Sequence, residues 1–98
     1  MFEEKRISER IAAVAPMRYQ LKGSQRFSNT MGRDISDRGI GFISNEFLPV
    51  STHLVFEIQH PKTEAFIKAV GEVVWISDNP HSESFSIGAR FIEGPIAI

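Results

Sequence analysis

A chain of 98 residues, 42% hydrophobic and 23% charged, folds as one domain around one core, and both a two-domain organisation and wholesale disorder are excluded. The formal net charge of −1 removes the global basic field that gathers nucleic acid, so any anion site must be local. The absence of cysteine excludes disulfides, thiolate metal sites and thiol nucleophiles, which fits a cytoplasmic protein.

The first segment, MFEEKRISER, precedes the short apolar run IAAVAPM. Glu3, Glu4 and Glu9 among the basic residues, and Pro16 interrupting the run, argue against a secretory leader. No stretch reaches the roughly 20 apolar residues of a spanning helix, so membrane insertion is not expected. From Met17 onward the pattern alternates. Met17, Tyr19 and Leu21 interleave with Arg18, Gln20 and Lys22, which predicts a half-buried strand closed by a Gly23-Ser24 turn.

A second strand is expected from about residue 25 to 36, followed by a tight turn at SDRG in which Gly39 takes positive φ. The third strand covers about 39–44, and a polar loop with Pro49 leads to a fourth in which Leu54, Phe56 and Ile58 alternate with Val55, Glu57 and Gln59. The longest strand is expected over about 65–76. One face carries Phe66, Val70, Val74 and Ile76 with Lys68 and Glu72; the other carries Ile67, Ala69, Gly71, Val73 and Trp75. After the loop DNPHSES, Phe85, Ile87, Ala89 and Phe91 alternate in a last strand. Six short strands with few helix signals predict an all-β, antiparallel barrel or sandwich, and a barrel hides its sheet edges. Eight phenylalanines and the tryptophan are expected to fill the interior.

The stretch RDISDRGIGF holds the chemical interest. With Ile35 inward, Asp34 and Ser36 share the outer surface about 7 Å apart. With Ile40 and Phe42 inward on the next strand, Gly39 and Gly41 leave bare backbone beside them. A flat ligand can lie on such a shelf; a plain glycine-turned hairpin is the simpler alternative. In the N-terminal arm, KRISER spaces Arg6 and Arg10 four apart, so that both guanidinia can fold onto one anion, where an ordinary solvated tail is again the simpler alternative.

RxxxR at Arg6–Arg10, followed 24 positions after Arg10 by DxSxxG at Asp34, Ser36 and Gly39, resembles the PilZ domain family of bacterial cyclic di-GMP receptors. GEVVWI at Gly71–Ile76 and IGARF at Ile87–Phe91 are similar to the family's later strands. The resemblance implies a six-stranded antiparallel barrel. It divides the chain into a flexible, ligand-clamping arm (1–12), the barrel (13–92) and a short tail (93–98). Many relatives end in a helix; Gly94-Pro95 and PIAI predict that helix to be short or absent. Many also carry two arginines where this chain has Lys5-Arg6.

The resemblance further implies that cyclic di-GMP is the ligand and that no other cofactor is needed. Arg6 and Arg10 would grip guanine O6/N7 and the phosphates through their forks. Asp34 would accept hydrogen bonds from guanine N1 and N2, Ser36 would donate to a phosphate, Gly39 would permit close approach, and Lys5 would add charge. It also implies an adaptor, monomeric or weakly dimeric, that signals to a downstream protein in motility, pilus, biofilm or exopolysaccharide control.

The rivals are thinner. His53, His60 and His81 have no metal-ligand spacing, and neither GxSxG nor GxGxxG occurs, so an enzyme is not expected. Tyr19, Arg18, Lys22, Arg26 and Phe27 make only a sparse single-strand nucleic-acid platform. A PilZ-fold interaction adaptor that binds no nucleotide is the remaining alternative.

Overall fold

The computed structural model describes residues 15–59 and 63–97. Six strands follow one another: β1 (Ala15–Leu21), β2 (Ser28–Ile35), β3 (Gly39–Ser44), β4 (His53–Gln59), β5 (Phe66–Asp78) and β6 (Phe85–Ala97). All pairings are antiparallel, and the sheet closes in the order β1-β2-β3-β6-β5-β4. Closure leaves no free edge along the paired wall, which a domain this small needs.

Alternation sends Met17, Tyr19, Leu54, Phe56 and Ile58 inward, as their period of two requires. Phe42 sits between Tyr19 and Phe56, with ring centroids 5.2 and 5.7 Å away, and Phe56 meets Phe91 edge-on at 6.1 Å. Ile35, Ile40, Leu48, Val73 and Ile87 complete the core. The phenylalanines and the tryptophan are expected to fill the interior, but Phe47, Phe66 and Trp75 are exposed.

Trp75 is displaced by a bulge. Val73 pairs with Ala89 and Trp75 with Gly88, so Val74 is an extra residue in β5 and the phase of alternation inverts there. Ile76 turns in to pack on the core and Trp75 turns out. A second bulge lies in β2, where Gly32 pairs with Phe42 but Asp34 with Gly41, leaving Arg33 unpaired. Gly32 and Ile35 are both buried, so this bulge is what turns Asp34 outward.

Two further expectations change. Gly39 does not have positive φ; the glycines that do are Gly23, in the β1–β2 turn, and Gly94. Instead, a Cβ at Gly39 would collide with the Ala89 carbonyl oxygen, so the glycine permits close approach of β3 to β6. The tail expected at 93–98 is strand as far as Ala97: Ile96 and Ala97 pair with Lys68 and Ile67 across a bulge at Gly94-Pro95. Pro95 is tolerated there because a bulged position does not need its missing N–H.

Candidate functional site

The two bulges flank one stretch of outer wall. Across it, cross-strand pairing sets a single row: Asp34 on β2 opposite Gly41 on β3, Gly41 opposite Gly88 on β6, and Gly88 opposite Trp75 on β5. A carboxylate stands at one end, an indole at the other, and two residues without side chains lie between. At about 4.8 Å per strand, the row is roughly 14 Å long.

The two glycines in this row differ in kind. A Cβ on Gly88 would strike the Trp75 indole, so the ring lies directly over that backbone. A Cβ on Gly41 would meet Asp34 Cβ at 3.7 Å and its Oδ2 at 3.8 Å, which is ordinary contact. The fold therefore requires Gly88 for the Trp75 position, whereas it leaves Gly41 free. The bareness at Gly41 serves the surface.

The turn before β3 is locally built. Ser36 N–H donates to Gly39 O at 3.0 Å, and Ser36 Oγ accepts from Arg38 N–H at 3.2 Å, a serine-anchored turn. The Ser36 hydroxyl proton remains available to donate outward. Phe91 N–H donates to Arg38 O at 2.7 Å and ties the turn to β6. Beyond the glycine row, Arg90 pairs with Gly39 on one side and Glu72 on the other, and its guanidinium meets Glu72 Oε1 at 2.7 Å.

These elements enclose an open trough of about 360 Å³, floored by Gly39, Gly41 and Gly88 and walled by Asp34, Ser36, Arg38, Trp75 and Arg90. That volume lies in the range of small-molecule sites. Its chemistry is mixed: an acceptor for paired donors, a hydroxyl and two guanidinia for anionic oxygens, and an aromatic face for stacking.

Three of the site residues named from sequence, Asp34, Ser36 and Gly39, are brought together here. Lys5, Arg6 and Arg10 lie outside the described residues. The described chain begins at Ala15, which pairs with Gly32, two residues before Asp34. Sequence reading missed Trp75, Gly88 and Arg90. Strict alternation put Trp75 on the face of Val73, and the one-residue bulge that moves it to the other face is set by pairing with a distant strand. The signal that could have found Gly88 is its place in IGARF, a glycine in the middle of a strand, which marks a close approach.

Such an architecture is a small closed barrel whose lumen is filled by core side chains, with the trough on its outer wall. The sequence matches the family model for the PilZ domain over residues 4–97, and the chain belongs to that family. Its fold is similar to that of the Bacillus subtilis inhibitor of motility, MotI/DgrA, with a TM-score of 0.73 and 24% identity over 91% of this chain. The chain spans 43% of the length of that protein. Comparison with curated proteins returned no match.

Proposed function

We propose that the protein is a cyclic di-GMP receptor that passes occupancy of the outer-wall trough to a partner protein. The observation that carries the reading is the register row Asp34–Gly41–Gly88–Trp75. One guanine would present N1–H and N2–H to the Asp34 carboxylate, a donor pair that adenine lacks. Its plane would lie on the bare backbone of Gly41, next to the Trp75 ring that covers Gly88. The Trp75 ring offers a stacking face, a contact worth about 1–3 kcal/mol per base. Ser36 would donate to a phosphate oxygen, and Arg90 and Arg38 supply charge beside it.

Arg6 and Arg10 would close over the exposed side of the ligand, with Lys5 adding charge, as the family resemblance implies. Ordering five arm residues costs about 5–10 kcal/mol at 1–2 per residue. One charged hydrogen bond returns only about 1.5–3 kcal/mol, so several must form together, and they form only when ligand supplies the acceptors. Binding and ordering are then one event, which makes the domain a switch rather than a static pocket. The role in this reading is recognition, not catalysis. Action in the bacterial cytoplasm, as a monomer or weak dimer without nucleic-acid polymer or membrane insertion, completes the reading. The described relative is an inhibitor of motility, which makes a motility component the first partner to seek.

Calorimetric titration with cyclic di-GMP, cyclic di-AMP and GTP tests it. Saturable binding of the first alone, weakened by Arg10→Ala and by Ser36→Ala with the barrel still folded, is expected. No heat with cyclic di-GMP would leave the non-binding adaptor as the function. Unchanged affinity in both variants would remove the site assignment. Amide exchange over residues 1–12 should slow on ligand addition, and equal exchange with and without ligand would overturn the switch.

A further inference from the structure

The seam between β2 and β3 is zipped over only part of its length. β3 has six consecutive partners in β6, whereas its register with β2 covers only Gly32, Asp34 and Ile35, nearest the turn. Farther along, Ser28–Met31 stay paired with β1 but have no partner residues in β3. The strands diverge around a cleft of about 240 Å³, lined by Ser28, Asn29, Thr30, Asn45 and Glu46, with Tyr19 and Ser44 at its base. It lies at the opposite end of this hairpin from the trough.

Three of the four hydroxyl groups that line it, those of Tyr19, Ser44 and Thr30, are engaged within the wall. Tyr19 donates to Glu46 Oε1 at 2.8 Å, Ser44 Oγ accepts from the Glu46 N–H at 3.0 Å and lies 2.8 Å from Tyr19 Oη and 2.9 Å from the Glu46 carbonyl, one of which takes its proton, and Thr30 Oγ1 donates to the Ile43 carbonyl. Tyr19 and Ser44 are satisfied inside the wall, which leaves the lone pairs of Thr30 Oγ1 to anything entering the cleft. Asn29 and Asn45 add side-chain carbonyls, and Glu46 adds a full negative charge. No cation lines the cleft, and among the described residues no lysine, arginine or histidine pairs with Glu46. Tyr19 and Ser44 are almost fully buried, each 2% exposed, so the base that fixes the Glu46 carboxylate is rigid. With a carboxylate and no cation in its lining, such a site suits a group with several divergent donors. The guanidinium has five N–H donors in a planar fork; an ammonium is a compact point charge that matches acceptors spread over two strands less well.

We propose that this cleft is a docking site for an arginine side chain of a partner protein, with Glu46 as its anchor. It stands on the cleft's own geometry and does not depend on nucleotide binding in the trough. Titration of the 15N-labelled protein with N-acetyl-arginine-methylamide, followed by amide chemical shifts, tests it, with the lysine and glutamine analogues in parallel. A single buried contact of this size gives dissociation constants in the millimolar range, which this measurement reads. Saturable shifts at Tyr19, Asn29 and Asn45, weaker with lysine and absent with glutamine, are expected. Glu46→Gln keeps an acceptor for Tyr19 and should weaken the arginine analogue about tenfold, because a charge-assisted bond becomes a neutral one. Asn45→Asp adds a second carboxylate and should tighten it several-fold. No saturable shift, equal response to the glutamine analogue, or an affinity indifferent to both variants would each overturn the proposal. Shifts at Gly41 and Gly88 would place the probe in the trough and overturn it equally.

Discussion

The wall made by β1, β4 and the first half of β5 differs from the wall made by β2, β3, β6 and the second half of β5. On the first, five consecutive partners join β1 to β4 and seven join β4 to β5, with no register shift. On the second, Arg33 is bulged on β2, Val74 on β5, and β6 carries two further irregularities. The regular wall supplies Leu54, Phe56 and Ile58, three of the four core residues with no exposure, the fourth being Ile87 on β6. The irregular wall supplies the trough. Each bulge costs pairing and turns one side chain outward that a regular strand would have buried. The difference separates residues held by packing from residues held for what they present.

Substitution on the regular wall should cost the most. Phe56→Ala empties a fully buried site between Phe42 and Phe91 and should destabilise by about 3–5 kcal/mol, read from the denaturant midpoint. A loss below about 1 kcal/mol would mean that the aromatic row is not the centre of the core. On the irregular wall, the glycines sort into two kinds. Gly39→Ala forces a methyl into the Ala89 carbonyl and should cost about 1–3 kcal/mol. Gly41→Ala meets only ordinary contacts and should leave stability within about 0.5 kcal/mol while impairing cyclic di-GMP binding. Equal losses of stability in the two variants would collapse the distinction between fold glycine and surface glycine.

Gly88→Ala probes the other end of the row. Its methyl would occupy the space of the Trp75 indole and push the ring off the backbone, which the emission of the single tryptophan reports directly. A red shift in the free protein is expected, together with a loss of affinity worth about 1–3 kcal/mol, the usual contribution of one stacked base. An unchanged spectrum would show that the ring does not lie over Gly88 in solution.

The contrast between the walls also explains what could be read in advance. Where the ladder is regular, as at Met17, Tyr19, Leu54, Phe56 and Ile58, a period of two is the physical consequence of strand geometry, and alternation alone places each side chain correctly. Where the ladder slips by one residue the same rule gives the wrong face, as for Trp75. Asp34 came out right because its phase was counted back from Ile35, on the far side of the Arg33 bulge. Counted forward from the buried Gly32, Asp34 would have been put inside. The bulges depend on pairing between distant segments, which local hydrophobic pattern does not encode. Gly39 was legible as a required glycine but for the wrong reason, since turn chemistry is local whereas the approach of the Ala89 carbonyl is not. The Asp34, Ser36 and Gly39 cluster was legible because all three lie within one hairpin.

A further expected effect, read from its dependence on pH, concerns the polar base where the two walls meet. Burial pushes the Tyr19 phenol above its ordinary value of 10.0; the Ser44 hydrogen bond opposes that shift, and Glu46 reinforces it through its hydrogen bond and charge. Because the folded state holds the proton more tightly than the unfolded chain, the stabilisation is fully present below about pH 10 and declines as pH rises from there through the folded pKa. Tyr19→Phe removes the hydrogen bonds to Ser44 and Glu46 and should cost about 1–3 kcal/mol at neutral pH, since it strips partners from a buried hydroxyl. The variant should also lose part of the alkaline decline, so that the two stability curves converge above pH 10. Curves that stay parallel across that range would show that the phenol titrates as freely in the folded barrel as in the open chain, and the rigid base beneath Glu46 would have to be abandoned.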